Sequence, residues 1–156
     1  MVKTNAMRLI EQAGIEFETK EYEVDENDLS GETVANKVGM VPDSVFKTLV
    51  TKGDKNGIAV FCIPVNSELD LKKAAKATGN KKIEMVAVKD LLGLTGYIRG
   101  GCSPVGMKKQ YPTYIDETAI LFDSIAVSAG VRGCQMILNP EKLAEYVNAE
   151  MIDLCM

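Results

Sequence analysis

The sequence predicts an α+β fold: a single domain spanning 1–156, with a mixed, mostly antiparallel twisted sheet and flanking helices. Three observations carry that reading. Two β-rich runs, VFKTLVTK (45–52) and IAVFCIPV (58–65), are separated by GDKNG, a strong hairpin turn. Further short strand-like runs recur toward the C-terminus, and capped segments with helical periodicity lie between the strands. Helices interspersed among hairpin-linked strands point to a mixed sheet with helices packed on it. A chain of 156 residues, 46% hydrophobic and 26% charged, is long enough for one sizeable core and does not require a second.

The elements follow in order. Residues 4–13 place Ala6, Leu9, Ile10 and Ala13 on one helical face, and Gly14 is positioned to end that helix. Ile15–Thr19 alternates as a strand, with Ile15 and Phe17 inward. DENDLS (25–30) is an acidic loop whose Ser30 caps a short helix reaching Lys37, before Gly39. Pro42 and Asp43 open a turn into the hairpin. Beyond it, Ser67 begins a capped helix over Leu69–Thr78, with Leu71, Ala74, Ala75 and Thr78 on its inner side. A strand at Lys82–Val86 and a short helix at Val88–Leu92 come next. Gly96–Gly106 (GYIRGGCSPVG) reads as a strand ending in a glycine-rich loop. Strands are expected at Thr113–Ile115, Ile120–Phe122, Ile125–Ser128 and Gln135–Leu138, the last two joined by AGVRG. Asn139 and Pro140 then start a C-terminal helix, as cap and first-turn residue.

Composition excludes several chemistries. The chain has no histidine, which removes Ser-His-Asp and Cys-His nucleophile pairs, a histidine base and every histidine-containing zinc site. Four cysteines, Cys62, Cys102, Cys134 and Cys155, are scattered without a CxxC pair and read as reduced thiols, too widely spaced for a zinc site. No metal and no cofactor is expected. No apolar run approaches the roughly 20 residues of a membrane span. The N-terminus reads as an amphipathic helix rather than a signal peptide, so the expected location is cytoplasmic. The net charge of −4 hides a segregation: residues 72–109 carry nine basic and two acidic side chains, while both ends are acidic. Strong non-specific nucleic-acid binding does not fit that total, yet the basic middle can engage a few phosphates.

Four features can carry chemistry. Lys47 shares a strand face with Val45 and Leu49, in a strand apolar on both faces, and is either a snorkelling surface lysine or a cation aimed at an anion. Gly100-Gly101-Cys102-Ser103-Pro104 is either a tight turn or a nest of backbone amides to which Ser103 adds a hydroxyl. Cys102 sits in a positive segment but has no base, and reads as a small filler. KKAAKATGNKK (72–82) is either a solvated helix back or an RNA-backbone contact through Lys72 and Lys76, with Lys108 and Lys109 as further candidates. Tyr22 and Arg132 are weaker signals.

EYEVD (21–25), PDSVFKTLV (42–50), LDLKKAAKATGNKKIEM (69–85), TGYIRGGCSPVGMKKQYPTYID (95–116) and VSAGVRG (127–133) together resemble the YbaK/EbsC family of aminoacyl-tRNA deacylases. Related to it is the editing insertion of bacterial prolyl-tRNA synthetase. The resemblance covers essentially the whole chain and implies a barrel-like editing-domain fold. It implies hydrolysis of the ester joining a mischarged amino acid to the tRNA 3′ end, with Cys-tRNA(Pro) as the usual substrate and prolyl-tRNA synthetase as a partner. Lys47 falls on the family's essential lysine, Gly100 on its loop glycine and Tyr22 on a pocket tyrosine. Leu29 stands where the family has phenylalanine, and Gln135 where it has aspartate; both bear on pocket shape and polarity. The mechanism implied is substrate-assisted: the cysteine thiol attacks its own ester, so the protein supplies no nucleophile. In that scheme Gly100 and Gly101 amides meet the oxyanion, Lys47 holds the 3′ adenosine or its phosphate, and Tyr22, Leu29, Ser103 and Gln135 shape the pocket. The alternatives are a non-catalytic module that binds an aminoacyl-tRNA end or a synthetase, a deacylase for another small amino acid, and, more remotely, a thiol redox protein using Cys102.

Overall fold

The computed structural model describes residues 3–156. Two sheets make up the fold. In the three-stranded sheet, β1 (Phe17–Glu21), β7 (Cys134–Leu138) and β6 (Ile125–Ser128) lie side by side, all antiparallel. The five-stranded sheet runs in the order β4 (Ile83–Met85), β2 (Phe46–Gly53), β3 (Gly57–Pro64), β5 (Thr113–Asp116) and β8 (Glu150–Ile152). Its β2–β3 and β2–β4 pairs are antiparallel, and its β3–β5 and β5–β8 pairs parallel. The predicted mixed, mostly antiparallel character is therefore present.

Closure into a barrel is not. A single isolated parallel bridge, Val45 to Ala126, links the two sheets. Beyond it β2 pairs with β3 and β4 and never with β6, so no ladder joins the two sheets. The largest apolar cluster draws on both sheets and two helices. Phe46, Cys62, Ile115, Ile125, Val127, Met136 and Leu138 pack with Ala6, Met7 and Ile10 of α1 (Asn5–Gln12) and Leu143 and Val147 of α5 (Pro140–Val147). On the outer face of the larger sheet, Ala74 and Ala75 of α3 (Leu71–Thr78) cover Ala59, Phe61 and Ile63, and the Phe61 ring stacks on Tyr114 with centroids 5.3 Å apart.

Capping chemistry sets the helix ends. Ser30 accepts from Thr33 N–H to start α2 (Gly31–Val38), and Asn139 accepts from Lys142 N–H to start α5, both as expected. The cap of α3 is Asp70, not Ser67; its carboxylate takes the amides of Lys72 and Lys73, while the Ser67 amide is held in a turn by Pro64 O. In α1 Met7, rather than Ala13, completes the buried face.

Three other segments differ from the sequence reading. Gly96–Gly106 forms no strand: after α4 (Val88–Thr95) it is an irregular loop, pinned where Tyr97 Oη donates to Val105 O. The Ile120–Phe122 strand is absent: Ile120 and Leu121 end a 3₁₀ turn, Glu117–Leu121, and Phe122 caps it, because Asp116 accepts from Thr118 N–H and winds the chain before a strand can extend. β8 was not anticipated; three residues pairing in parallel with β5 leave too short a local pattern to read. No helix among the described residues is long and apolar enough to cross a membrane.

Candidate active site

A cavity of about 200 Å³ lies between residues of the two sheets, next to the Val45–Ala126 bridge. One wall is β2, residues Val45 to Leu49; the other is Ser128 and Gln135, which face each other across β6 and β7. Gly31 and Val34 of α2 close a third side with Val65, and Leu29 and Tyr22 fill the corner. The α2 terminus reaches this close because residue 31 has no side chain: a Cβ there would collide with the Val65 side chain. Arg99, Gly100 and Cys102 complete the rim. The volume lies below the ~300–1,000 Å³ of drug-sized sites, and suits a small side chain.

Each polar group reaches the cavity for a local reason. Tyr22 follows β1, and its amide donates to Gly133 O at 2.9 Å, which carries β1–β7 pairing one step further and sets the ring at the corner. Lys47 lies opposite Ile63 in the hairpin register, half-buried, and its ammonium has no hydrogen bond or ion pair among the described residues. Four other lysines do find partners: Lys3 on Glu11, Lys20 on Val38 O, Lys37 on Glu23 O and Lys73 on Asp153. Gln135 is buried, and its Oε1 has no hydrogen-bond partner. The orphaned buried acceptor is costly when the cavity is empty and loses that cost to a polar ligand, and the lysine is free to meet an anion there.

A profile of the aminoacyl-tRNA editing domain matches residues 26–146. The chain belongs to that family. It is 52% identical, over 152 residues covering 97% of this chain and 93% of the relative, to an Enterococcus faecalis protein, EbsC, named as a candidate Cys-tRNA(Pro)/Cys-tRNA(Cys) deacylase. An uncharacterised Bacillus subtilis protein, YwhH, is 26% identical over 140 residues, 87% of this chain and 88% of its own. Two crystal structures share the fold. One, described as a candidate trans-editing enzyme for prolyl-tRNA synthetase, superposes with a TM-score of 0.84 at 24% identity, covering 98% of both chains. The other, a hypothetical protein designated APE2540, gives 0.86 at 18% identity, covering 96% of this chain and 97% of its own.

Within this editing domain, Tyr22, Leu29, Lys47, Gly100 and Gln135 line one cavity. Gly101 and Ser103 do not. The Gly101 amide donates to Ile98 O at 3.0 Å, so it is unavailable to an oxyanion, and a Cβ there would press to 3.1 Å from the backbone at 131–132. Ser103 is buried, and its Oγ accepts from Val105 N–H, which makes it a turn-former. Gly100 has φ +84°, a conformation open to glycine, and it alone of the pair lies on the cavity wall. Lys72, Lys76, Lys108 and Lys109 do not line the cavity; Lys109 borders a separate hollow of about 370 Å³ with Leu9, Gln110 and Tyr146. Cys102 does line it, but burial pushes its thiol from 9.0 up to about 12. At neutral pH it is a neutral thiol, a poor nucleophile. Arg99, Val34, Val65 and Ser128 escaped the sequence reading. Arg99 was signalled only by adjoining Gly100; the others are brought in by folding.

Proposed function

We propose that this chain is a free-standing editing enzyme that deacylates mischarged tRNA, with Cys-tRNA(Pro) as substrate and the substrate's own thiol as nucleophile. The observation that carries the reading is a small cavity with an unpartnered lysine and a glycine on its wall, and with no histidine, carboxylate or ionised thiol among its lining residues. The chain contains no histidine, and burial holds Cys102 protonated. A substrate that brings a sulfur nucleophile needs only what the cavity offers.

In the reaction the cysteinyl side chain, confined by Tyr22, Leu29 and Val34, is held close to its carbonyl carbon. The thiol gives its proton to water as the sulfur bonds to that carbon, the carbon–oxygen bond to the ribose breaks, and the ribose oxygen takes a proton back from water; the cyclic thioester so released then adds water to become free cysteine. The Gly100 amide faces the developing oxyanion, while Lys47 steadies the terminal adenosine and the charge around it. Gln135 Oε1 accepts from the α-amino group of the substrate. The name of the Enterococcus faecalis relative supports the substrate class. Association with prolyl-tRNA synthetase, in the cytoplasm, accounts for how so acidic a chain meets the right tRNA.

Hydrolysis measured across tRNAs charged with Cys, Ala, Ser and Pro tests the proposal. Cys-tRNA is expected to be released at least tenfold faster than the others. Equal rates on Ala and Cys overturn thiol attack, and protection of every ester against spontaneous hydrolysis makes the chain a binding module instead.

A further inference from the structure

The sequence pointed to four lysines for tRNA contact, yet none of them lines the cavity. Two arginines do lie at its mouth. Arg99 is exposed on the cavity rim beside Gly100. Arg132, from the turn between β6 and β7, crosses over and donates from Nε to Arg99 O at 2.8 Å. It lies directly above Gly100: a Cβ added to that glycine would meet Arg132 Nε at 3.3 Å. The same guanidinium borders a small hollow of about 20 Å³ that adjoins the cavity, sharing Tyr22, Leu29, Val34 and Gly100 with it.

Neither guanidinium is neutralised. The ion pairs among the described residues are Lys3–Glu11 and Lys73–Asp153. Two acids face the hollow, but both already accept protein hydrogen bonds. Asp28 is engaged by Thr33 Oγ1 and Ser30 N–H, and Asp25 by Asn27 N–H. The remaining cation there, Lys37, is turned to Glu23 O. With Nε committed to a carbonyl, the Arg132 fork is fixed in orientation and still offers its terminal amino groups. A planar fork of that kind matches two oxygens of a phosphodiester, which a point-charge lysine does not.

We propose that Arg132 and Arg99 grip the last phosphodiesters of the RNA 3′ end and so steer the terminal nucleotide into the cavity. This rests on the deacylase reading above. The arginines are positioning residues: they act on the leaving tRNA, one nucleotide away from the ester. The β6–β7 turn and the Gly100 loop are joined by the hydrogen bond from Arg132 to Arg99, so the grip and the cavity wall form one unit. The basic helix face carrying Lys72 and Lys76 is then left as a solvated surface.

Two substrates separate phosphate binding from any general effect: a cysteinylated acceptor-stem microhelix, and 3′-O-cysteinyl adenosine, which has the same ester and base but no phosphodiester. Arg132→Gln and Arg99→Gln are each expected to raise KM for the microhelix roughly ten- to hundredfold, the worth of a charge-assisted hydrogen-bond pair. The loss on cysteinyl adenosine should be at least tenfold smaller. The steepness of log kcat/KM against log salt should fall by about 0.7 for each single-strand phosphate that the variant no longer neutralises. Arg132→Lys should recover part of the salt slope but little of the KM. Equal losses on the two substrates, or an unchanged salt slope, overturn the inference and make the arginines structural. Activity of each variant on cysteinyl adenosine also reports that it is folded. If the unsubstituted protein cleaves neither substrate, the deacylase reading itself falls.

Discussion

Replacing Lys47 by methionine separates the catalytic role proposed for it from any structural one. Methionine keeps the unbranched stem in β2, opposite Ile63, and deletes only the ammonium. Lys47 is half-buried and its ammonium has no partner among the described residues, so no hydrogen bond or ion pair of the resting fold depends on it. Stability should stay within about 0.5 kcal/mol of the parent, because the substitution removes no hydrogen bond or ion pair. Catalysis should respond very differently. With an effective dielectric constant of about 20, a unit charge ~4 Å from a developing anion contributes roughly 4 kcal/mol. Salt and partial exposure reduce this, so the expected loss in kcat is about 10²–10³-fold. Single-turnover deacylation of Cys-tRNA(Pro), which isolates chemistry from product release, reads the loss, and urea unfolding reads the stability. Lys47→Arg, which keeps the charge but alters its shape, should fall between. Methionine activity within threefold of the parent, or a stability loss above about 2 kcal/mol, refutes the reasoning: the lysine would then be idle or structural.

Three further outcomes follow from the same geometry. Gly100→Ala forces a side chain into φ +84° and brings a methyl to 3.3 Å from Arg132 Nε. The strain is about 1–2 kcal/mol, a few degrees in Tm for a chain of this size, while deacylation should drop far more than that stability change explains. Gln135→Met removes a buried acceptor with no partner; its Tm should rise, since such a group costs about 1–3 kcal/mol, as KM for Cys-tRNA worsens. Burial raises the thiols of Cys62 and Cys102 from 9.0 to about 12. A group raised on folding gives its full stability below pH 9.0 and loses it as pH climbs toward 12. Denaturant unfolding above pH 9 should therefore steepen by about 1.4 kcal/mol per pH unit for each thiol. Cys62→Ala and Cys102→Ala should each flatten that slope, and Cys102→Ala should leave the pH profile of Cys-tRNA cleavage unmoved at pH 7–9.

Local signals in the chain were those whose physics is local. The β2–β3 hairpin is written in GDKNG and two apolar runs; the α2 and α5 caps are written in Ser30 and Asn139. Where a competing local bond existed, the pattern misled. Asp70 outcompeted Ser67 for the α3 cap because the carboxylate takes two amides, and Asp116 wound Glu117–Leu121 into a turn that periodicity alone reads as strand. The parallel β5–β8 pair joins residues too far apart in sequence to leave any trace in either strand.

The same division holds at the site. By itself the sequence determined the chemical vocabulary: no histidine, thiols without bases, a lysine between the apolar residues Phe46 and Leu49, adjacent glycines before Ser103 and Pro104. It also determined the family, because those residues recur in a fixed order along the chain. Only the tertiary structure decided which of them meet. Lys47, Tyr22, Leu29, Gly100 and Gln135 share a cavity because two sheets meet at Val45 and Ala126 with no ladder joining them. Gly101 and Ser103 leave it because one glycine's φ turns the next amide back to Ile98 and the hydroxyl into its own turn. A side chain's direction is set by the backbone dihedrals around it and by partners far away in sequence, and a list of residues contains neither.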